Sequence, residues 1–219
     1  MTGDELQILY DNALGYGVEL SQHNLDLFRI YLDELLEWNM RMNLIGMISR
    51  KRVINELFLD SLIPAPFLPE EGRMLDVGSG GGLPGIPFKI YRPQLKTHLM
   101  EPNSKKVSFL KQTIRLLSLD NIEVIKGRID RDSDSLHPDG YHLITSRALA
   151  GLDMIIRSCS SHLTPGGLLL SFLGQHAETD LKRSQPVVEE HSLTLFRTIP
   201  YTLPGKDSRR TAAIFRRKA

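Results

Sequence analysis

The sequence predicts an α/β protein: a mostly parallel, doubly wound sheet, an antiparallel hairpin at its C-terminal edge, and a helical extension in front. Three observations carry this. From Arg73 onward, short apolar runs alternate with helical patterns, the rhythm of strands joined by crossover helices. The first run, "RMLDV", ends next to an acid and opens into "GSGGGLPGIP", a bend rich in bare backbone. Before Arg73 the apolar spacing is helical throughout.

In chain order, a first helix is expected over residues 4 to 14. A long amphipathic one follows over residues 21 to 42, with Leu25, Phe28, Leu32, Leu35, Leu36 and Met42 on one stripe and Ser21 as N-cap. Helical segments through residues 51 to 63 end at Pro64 and Pro66. These give a helical extension over 1–65 and a ligand-binding domain over 66–219. In the second part, strands are expected at "RMLDV", "THLME", "IEVI", "YHLITS" and "LLLSFL". The clearest helix is "SKKVSFLKQTIRLLSL", capped by Ser104 and facing Val107, Leu110, Ile114 and Leu117 inward. "LTLFRTIP" and "RTAAIFRR", joined by "YTLPGKD", form the edge hairpin.

Composition excludes several classes. The 219 residues are 41% hydrophobic and 24% charged, and no apolar run approaches the length of a membrane span. The first residues, "MTGDELQILYDN", carry acids where a signal peptide carries a basic region, so export is not expected. A single cysteine, Cys159, suits a reducing compartment, and the expected location is the cytoplasm. No Cys/His set has metal spacing, and the seven histidines are scattered. Net charge is only +1, so any nucleic-acid partner must meet local patches. These are Arg50, Lys51 and Arg52; Lys105 and Lys106; Arg128 and Arg131; and Arg209, Arg210, Arg216, Arg217 and Lys218, any of which also reads as solvated surface.

Glycines let a ligand approach the main chain, and helix-start amides attract a negative group. Gly80, Gly82 and Gly85 satisfy the spacing of a dinucleotide fingerprint, which alone is a weak signal. Asp76 stands ahead of the first glycine, where its charge would repel a pyrophosphate and favour a cation such as the sulfonium of S-adenosylmethionine (SAM). The other reading of Asp76 is a carboxylate capping the turn. Glu101, at the end of the second strand, is placed to accept both hydroxyls of a ribose, a device shared by several nucleoside binders. Its alternative is a solvated strand end.

"LDVGSGGGLPGIP" followed by "LMEPNSKKVSFLKQ", with "EWNMRMNL" upstream and "GRID" and "TSRALA" downstream, closely resembles the bacterial small-subunit rRNA guanine-N7 methyltransferase family, RsmG or GidB. The resemblance runs from about Trp38 to Gly174. It implies a Rossmann-like class I methyltransferase fold and SAM-dependent methylation of N7 of one guanine in the decoding region (530 loop) of 16S rRNA. The partner would be that RNA or the small ribosomal subunit, met by a monomer with no membrane contact. Position by position, it implies cofactor contacts at Gly78, Leu83, Ile129, Asp130 and Arg147, beside the cofactor-site candidates Asp76, Gly80 and Glu101 of the glycine loop and second strand. Arg147 would hold the methionine carboxylate, an RNA phosphate or a structural acid. Arg50, Arg52, Arg209 and Arg210 are the candidate RNA contacts. The chain departs from the family pattern at Glu56 and Leu57, where a basic residue and a histidine are usual, and at Leu173, where a lysine is usual.

Guanine N7 bears a lone pair and no proton, so positioning should replace general-base catalysis, and no catalytic residue is assigned. Cys159 lies in a helix-like segment and reads as a packed thiol, which argues against methylation at pyrimidine C5. Trp38 reads as packing in the extension, with stacking on RNA as the alternative. Two other functions remain: an NAD(P)-dependent oxidoreductase using the glycine pattern, and an rRNA-binding assembly factor with little activity.

Overall fold

In the computed structural model all the expected runs lie in one seven-stranded sheet. They are β1 (Gly72–Val77), β2 (Leu95–Glu101), β3 (Ile122–Lys126), β4 (Tyr141–Ser146), β5 (Leu163–Leu173), β6 (Leu193–Thr202) and β7 (Arg209–Arg217). Their order is β3-β2-β1-β4-β5-β7-β6. The first five are parallel, and β7 runs antiparallel between β5 and β6. The strand order reverses between β1 and β4, which opens a crevice at the carboxyl ends of these two strands. Residues 3–46, 49–147 and 151–219 are described; Ala148 to Ala150, the end of the "TSRALA" stretch, lie outside them.

Alternation along the strands builds two cores. Met74, Leu99, Leu143, Leu170, Ala212 and Ile214 face one side of the sheet. Their neighbours Leu75, Met100, Ile144, Leu169, Ala213 and Phe215 face the other. The second side is covered by α7 (Leu152–Cys159) and α8 (Ala177–Glu190). The first is covered by α5 (Gly85–Tyr91), α6 (Ser104–Leu116) and the N-terminal helices. The cap of α6 differs from expectation: Asn103, one residue earlier than Ser104, accepts the amides of Lys105 and Lys106.

The N-terminal helices are α1 (Gly3–Leu14), α2 (Gln22–Met42), α3 (Arg50–Val53) and α4 (Asp60–Leu62), the last two joined by a π-helical stretch, Ile54–Leu59. Ser21 caps α2 through a reciprocal box with Asn24, as the sequence indicates. The apolar stripe of α2 joins the sheet core directly: Phe28 and Tyr31 meet Phe58 at centroid separations of 5.2 and 5.0 Å. Leu9, Leu32, Leu57 and Phe58 therefore share one continuous core with Met74, Leu99 and Ile214. Trp38 packs edge-on against Phe109 and donates to Glu34, so its indole is a structural contact of the extension. Leu57, the departure from the family pattern, is buried within that core.

Phe58 is fully buried between α2 and the sheet. Phe58→Ala should lower the unfolding free energy by about 3–5 kcal/mol in a urea titration. A loss below about 1 kcal/mol would show that the extension adds little to the core.

Candidate functional site

The glycine loop leaves the carboxyl end of β1 and turns into α5. Main-chain bonds tie it to the neighbouring strand: the amides of Gly78 and Ser79 both donate to the carbonyl of Met100, at 2.8 and 3.0 Å. Within the bend, the amides of Gly82 and Leu83 donate to Ser79 O, and Ile86 N donates to Gly82 O. Two carboxylates complete the set. Glu101 Oε2 accepts from Gly80 N at 2.9 Å, and Asp76 Oδ2 accepts from Gly85 N at 3.1 Å. Gly85 is required by contact: a Cβ there would lie 2.3 Å from Leu99 Cδ2 and 2.8 Å from Asp76 Oδ2. Gly82 is required by conformation, with φ +86°.

A dinucleotide loop of this spacing holds pyrophosphate on free amides. Here the amides of Gly78, Ser79, Gly80, Gly82, Leu83, Gly85 and Ile86 all donate within the protein. Gly81 N is the one loop amide without an acceptor among the described residues, so the loop presents main chain to a ligand without the converging set of free amides that holds a pyrophosphate.

Of the two readings of Asp76, the structure shows the contacts of the turn cap. Its side chain is wholly buried and its second oxygen accepts from Thr145 Oγ1 at 2.9 Å, so it faces the loop and β4 rather than a ligand. It is the turn-capping carboxylate. Burial raises its pKa to about 6, against the opposing hydrogen bonds from Thr145, Gly85 and Ser79 and the charge of Arg147. Glu101 sits at the predicted strand end, 5% exposed, with Oε1 accepting from Asn103 N at 2.9 Å. Each of its oxygens keeps a second lone pair for a ribose hydroxyl. The side chain of Leu83 lies in the core beneath the loop, which leaves its main chain to face the crevice.

Beyond the loop lies a cavity of about 390 Å³, lined by Val77, Gly78, Met100, Ile129, Asp130, Ser146 and the α7 residues Met154, Ile155 and Cys159. Gly78 enters it with φ +72°. Ile129 gives it an apolar wall, and Asp130 stands half-exposed at the rim, 3.2 Å from Arg128 Nε. That hydrogen bond holds the Asp130 carboxyl below its usual range. Ser146, which the sequence reading missed, contributes a buried hydroxyl without a hydrogen-bond partner among the described residues. Cys159 is buried and its thiol is pushed up to about 12, an inert wall of the cavity.

These features fit SAM. Its adenosine would meet an apolar slot with a carboxylate at the rim and one at the strand end, it has no phosphate to place, and an orphaned buried hydroxyl is left for it to satisfy.

Arg147 is placed differently from a cofactor contact. It follows Ser146 directly but turns toward the extension, where its Nη2 pairs with Asp60 Oδ2 at 2.7 Å and donates to Glu56 O at 2.8 Å. Asp60, 1% exposed, also accepts from Tyr201 Oη at 2.6 Å and from Arg210 Nη1 at 3.1 Å. Of the three alternatives for Arg147, the structural acid is therefore the one observed. These groups border a second cleft of about 330 Å³ at the ends of β4 and β5, lined also by Phe172, Leu173, Gln175 and Arg209. Cavity and cleft are adjacent, since consecutive residues Ser146 and Arg147 line one each.

The candidate RNA contacts divide. Arg50 is bound by Glu5 and Asp33 at 3.1 and 2.8 Å, and Arg52 by Glu56 at 2.7 Å. Arg210 is bound to Asp60, while Arg209 is exposed at the cleft rim. No group of His, Cys, Asp and Glu among the described residues is arranged for a metal.

This sheet order with its loop and cavity defines a class I methyltransferase fold. Solved structures agree: a methyltransferase from Pyrococcus furiosus superposes with TM-score 0.58 at 16% identity, covering 71% of this chain and 80% of that one. M. jannaschii TYW2 in complex with AdoMet gives 0.55 at 16% identity over 70% and 72%. The family model "rRNA small subunit methyltransferase G" (GidB) matches residues 24–200. The ribosomal RNA small subunit methyltransferase G of Alkaliphilus metalliredigens is 34% identical over 90% of this chain and 87% of its own. That of Syntrophus aciditrophicus is 33% identical over 96% and 89%. The chain belongs to the rRNA small subunit methyltransferase G family.

Because Asp76 binds a proton more readily folded than unfolded, its contribution is present below about 3.8 and lost as the pH rises through about 6. Relative to Asp76→Asn, the wild type should gain up to about 1.4 kcal/mol of unfolding free energy per pH unit between about pH 6 and 4. A difference independent of pH in urea titrations would place the carboxylate in water instead.

Proposed function

We propose that the chain transfers the methyl group of SAM to N7 of a guanine in the 530 loop of 16S rRNA. The observation that carries this is the pairing of a largely apolar cavity beside the glycine loop with an open cleft across one residue boundary, Ser146 to Arg147. The cofactor contacts would be the main chain at Gly78, Gly80 and Leu83 and the side chains of Glu101, Ile129, Asp130 and Ser146. Asp76 acts from beneath, as the brace of the loop. The helical extension, 1–65, and the cofactor domain, 66–219, work as one monomeric unit in the cytoplasm, on free RNA or on the small subunit.

When bound, SAM supplies a methyl carbon made electrophilic by the adjacent sulfonium. Transfer to N7 would form an N–C bond and break the C–S bond with no proton to remove, so no side chain of the protein would be needed as a base. The protein's task is alignment and exclusion of water, which contribute up to roughly 7–11 kcal/mol. Phe172 lies in the cleft with its ring 5.8 Å from the Arg147 guanidinium, and an aromatic face there suits a purine that becomes cationic. The oxidoreductase reading has no anion nest to bind a dinucleotide. Among the described residues no helix is long and apolar enough to cross a membrane.

Purified protein should transfer labelled methyl groups from SAM to small subunits lacking the modification, with the label at N7 of one guanine. Incorporation elsewhere, or none, would reject the assignment. Arg147→Ala should cost about 3–5 kcal/mol of stability, because it strips a partner from buried Asp60. SAM affinity should change less than about threefold in the folded variant, or under about 0.7 kcal/mol. A selective loss of SAM binding would restore Arg147 as a cofactor contact.

A further inference from the structure

The C-terminal hairpin carries the charge that the whole chain conceals. From Leu193 to Ala219 there are seven basic residues and one acid, Asp207. The segment therefore holds +6 and the rest of the chain −5, within a total of +1. Arg210 and Lys206 are neutralised by Asp60 and Glu56, and Arg217 donates to the carbonyls of Ser161 and Leu163. The guanidiniums of Arg197, Arg209 and Arg216 have no ion pair or hydrogen bond among the described residues, and all three residues are exposed.

Two of these arginines are held in a ladder with aromatic rings. The Arg216 guanidinium lies 3.7 Å from the centre of Phe196, Arg197 lies 6.0 Å from the same ring, and Arg197 lies 4.5 Å over Phe67. Phe196 and Phe67 are 41% and 38% exposed. The sequence explains the placement: the pairing of β6 with β7 shifts between Leu195 and Arg197, and the extra residue is Phe196. That bulge brings Phe196 out at the sheet edge beside both guanidiniums. Stacking fixes the planes of the guanidiniums and leaves their N–H edges free, the geometry that meets phosphate oxygens.

We propose that the Phe67, Arg197, Phe196 and Arg216 ladder is a docking strip for the sugar-phosphate backbone of rRNA, separate from the methyl-acceptor cleft. This rests on the RNA-methylation reading above. Arg210 borders the cleft, and Arg216 lies six residues along the same strand, about 20 Å away at the rise of an extended chain. The strip thus grips RNA flanking the target, while Arg209 marks the cleft rim at the opposite end of the strand. Exposed rings offer stacking to an unpaired base, and unpaired guanidiniums offer charge. An acidic protein or an anionic membrane would use the charge but has no need of the interleaved rings.

The test compares wild type with Arg197→Gln/Arg216→Gln, using transcribed 16S rRNA for binding and small subunits for methyl transfer. The double variant should bind the transcript at least about tenfold more weakly, with a slope of log K against log salt reduced by about 1.5. KM for the subunit should rise while kcat and SAM affinity hold, which a merely structural defect would not produce. Arg197→Lys/Arg216→Lys keeps the charge and loses the stacked fork, so it should keep the salt slope and lose part of the affinity. Unchanged affinity and slope in the Gln variant would overturn the proposal, even if that variant lost binding to anionic vesicles. Wild-type protein that binds the transcript but transfers no methyl group would sink the methylation reading and leave the strip standing.

Discussion

The site depends on how two buried carboxylates hold one loop. Asp76 takes the amide of Gly85 and Glu101 takes that of Gly80, so the bend is fixed at both ends by charge-assisted hydrogen bonds. Asp76 also takes the hydroxyl of Thr145, which ties the loop to β4, the strand that delivers Ser146 and Arg147. One side chain therefore sets the relation between the loop and the adjacent cleft. The consequence is chemical as well as mechanical. Amides engaged by protein carboxylates are not available to phosphate, and within a glycine spacing that binds dinucleotides elsewhere, those of Gly80 and Gly85 are already occupied here.

A second buried acid organises the far side of the site. Asp60 gathers Arg147, Arg210 and Tyr201, three groups from the end of β4 and from the C-terminal hairpin. A buried carboxylate is costly unless its lone pairs are filled, and here three donors fill them. The arrangement locks the N-terminal helices to the hairpin across the mouth of the cleft. The extension in this sense forms part of the cleft wall, and its shared core with the sheet explains why it can hold that position.

Much of this was legible in the sequence. Each strand was visible because alternating apolar residues serve two different cores, and the long stripe of α2 was visible because it packs on a sheet. The glycine loop and Glu101 fell at the strand ends that their order required. What the sequence did not reveal was direction. For Asp76 the sequence left open a cationic ligand or the following turn, and the close approach of Gly85 brings the loop amide to it. Arg147 was placed at the correct sheet edge, yet its partner Asp60 lies in a distant helical segment that local patterns do not connect to it. Ser146 gave no signal, because a serine ending a strand is chemically ordinary until burial orphans its hydroxyl. The ladder on the hairpin was hidden for a related reason: a one-residue bulge shifts the facing of side chains, and alternation alone does not mark it.

The most direct measurement is calorimetric titration of the wild-type protein with SAM and, separately, with NAD and ADP. With the loop amides held by Asp76 and Glu101, SAM should bind with a measurable heat, and neither phosphorylated ligand should bind or compete with it. A dinucleotide or diphosphate that binds as tightly as SAM and displaces it would show that the loop accepts phosphate, contradicting the structural reading at its foundation.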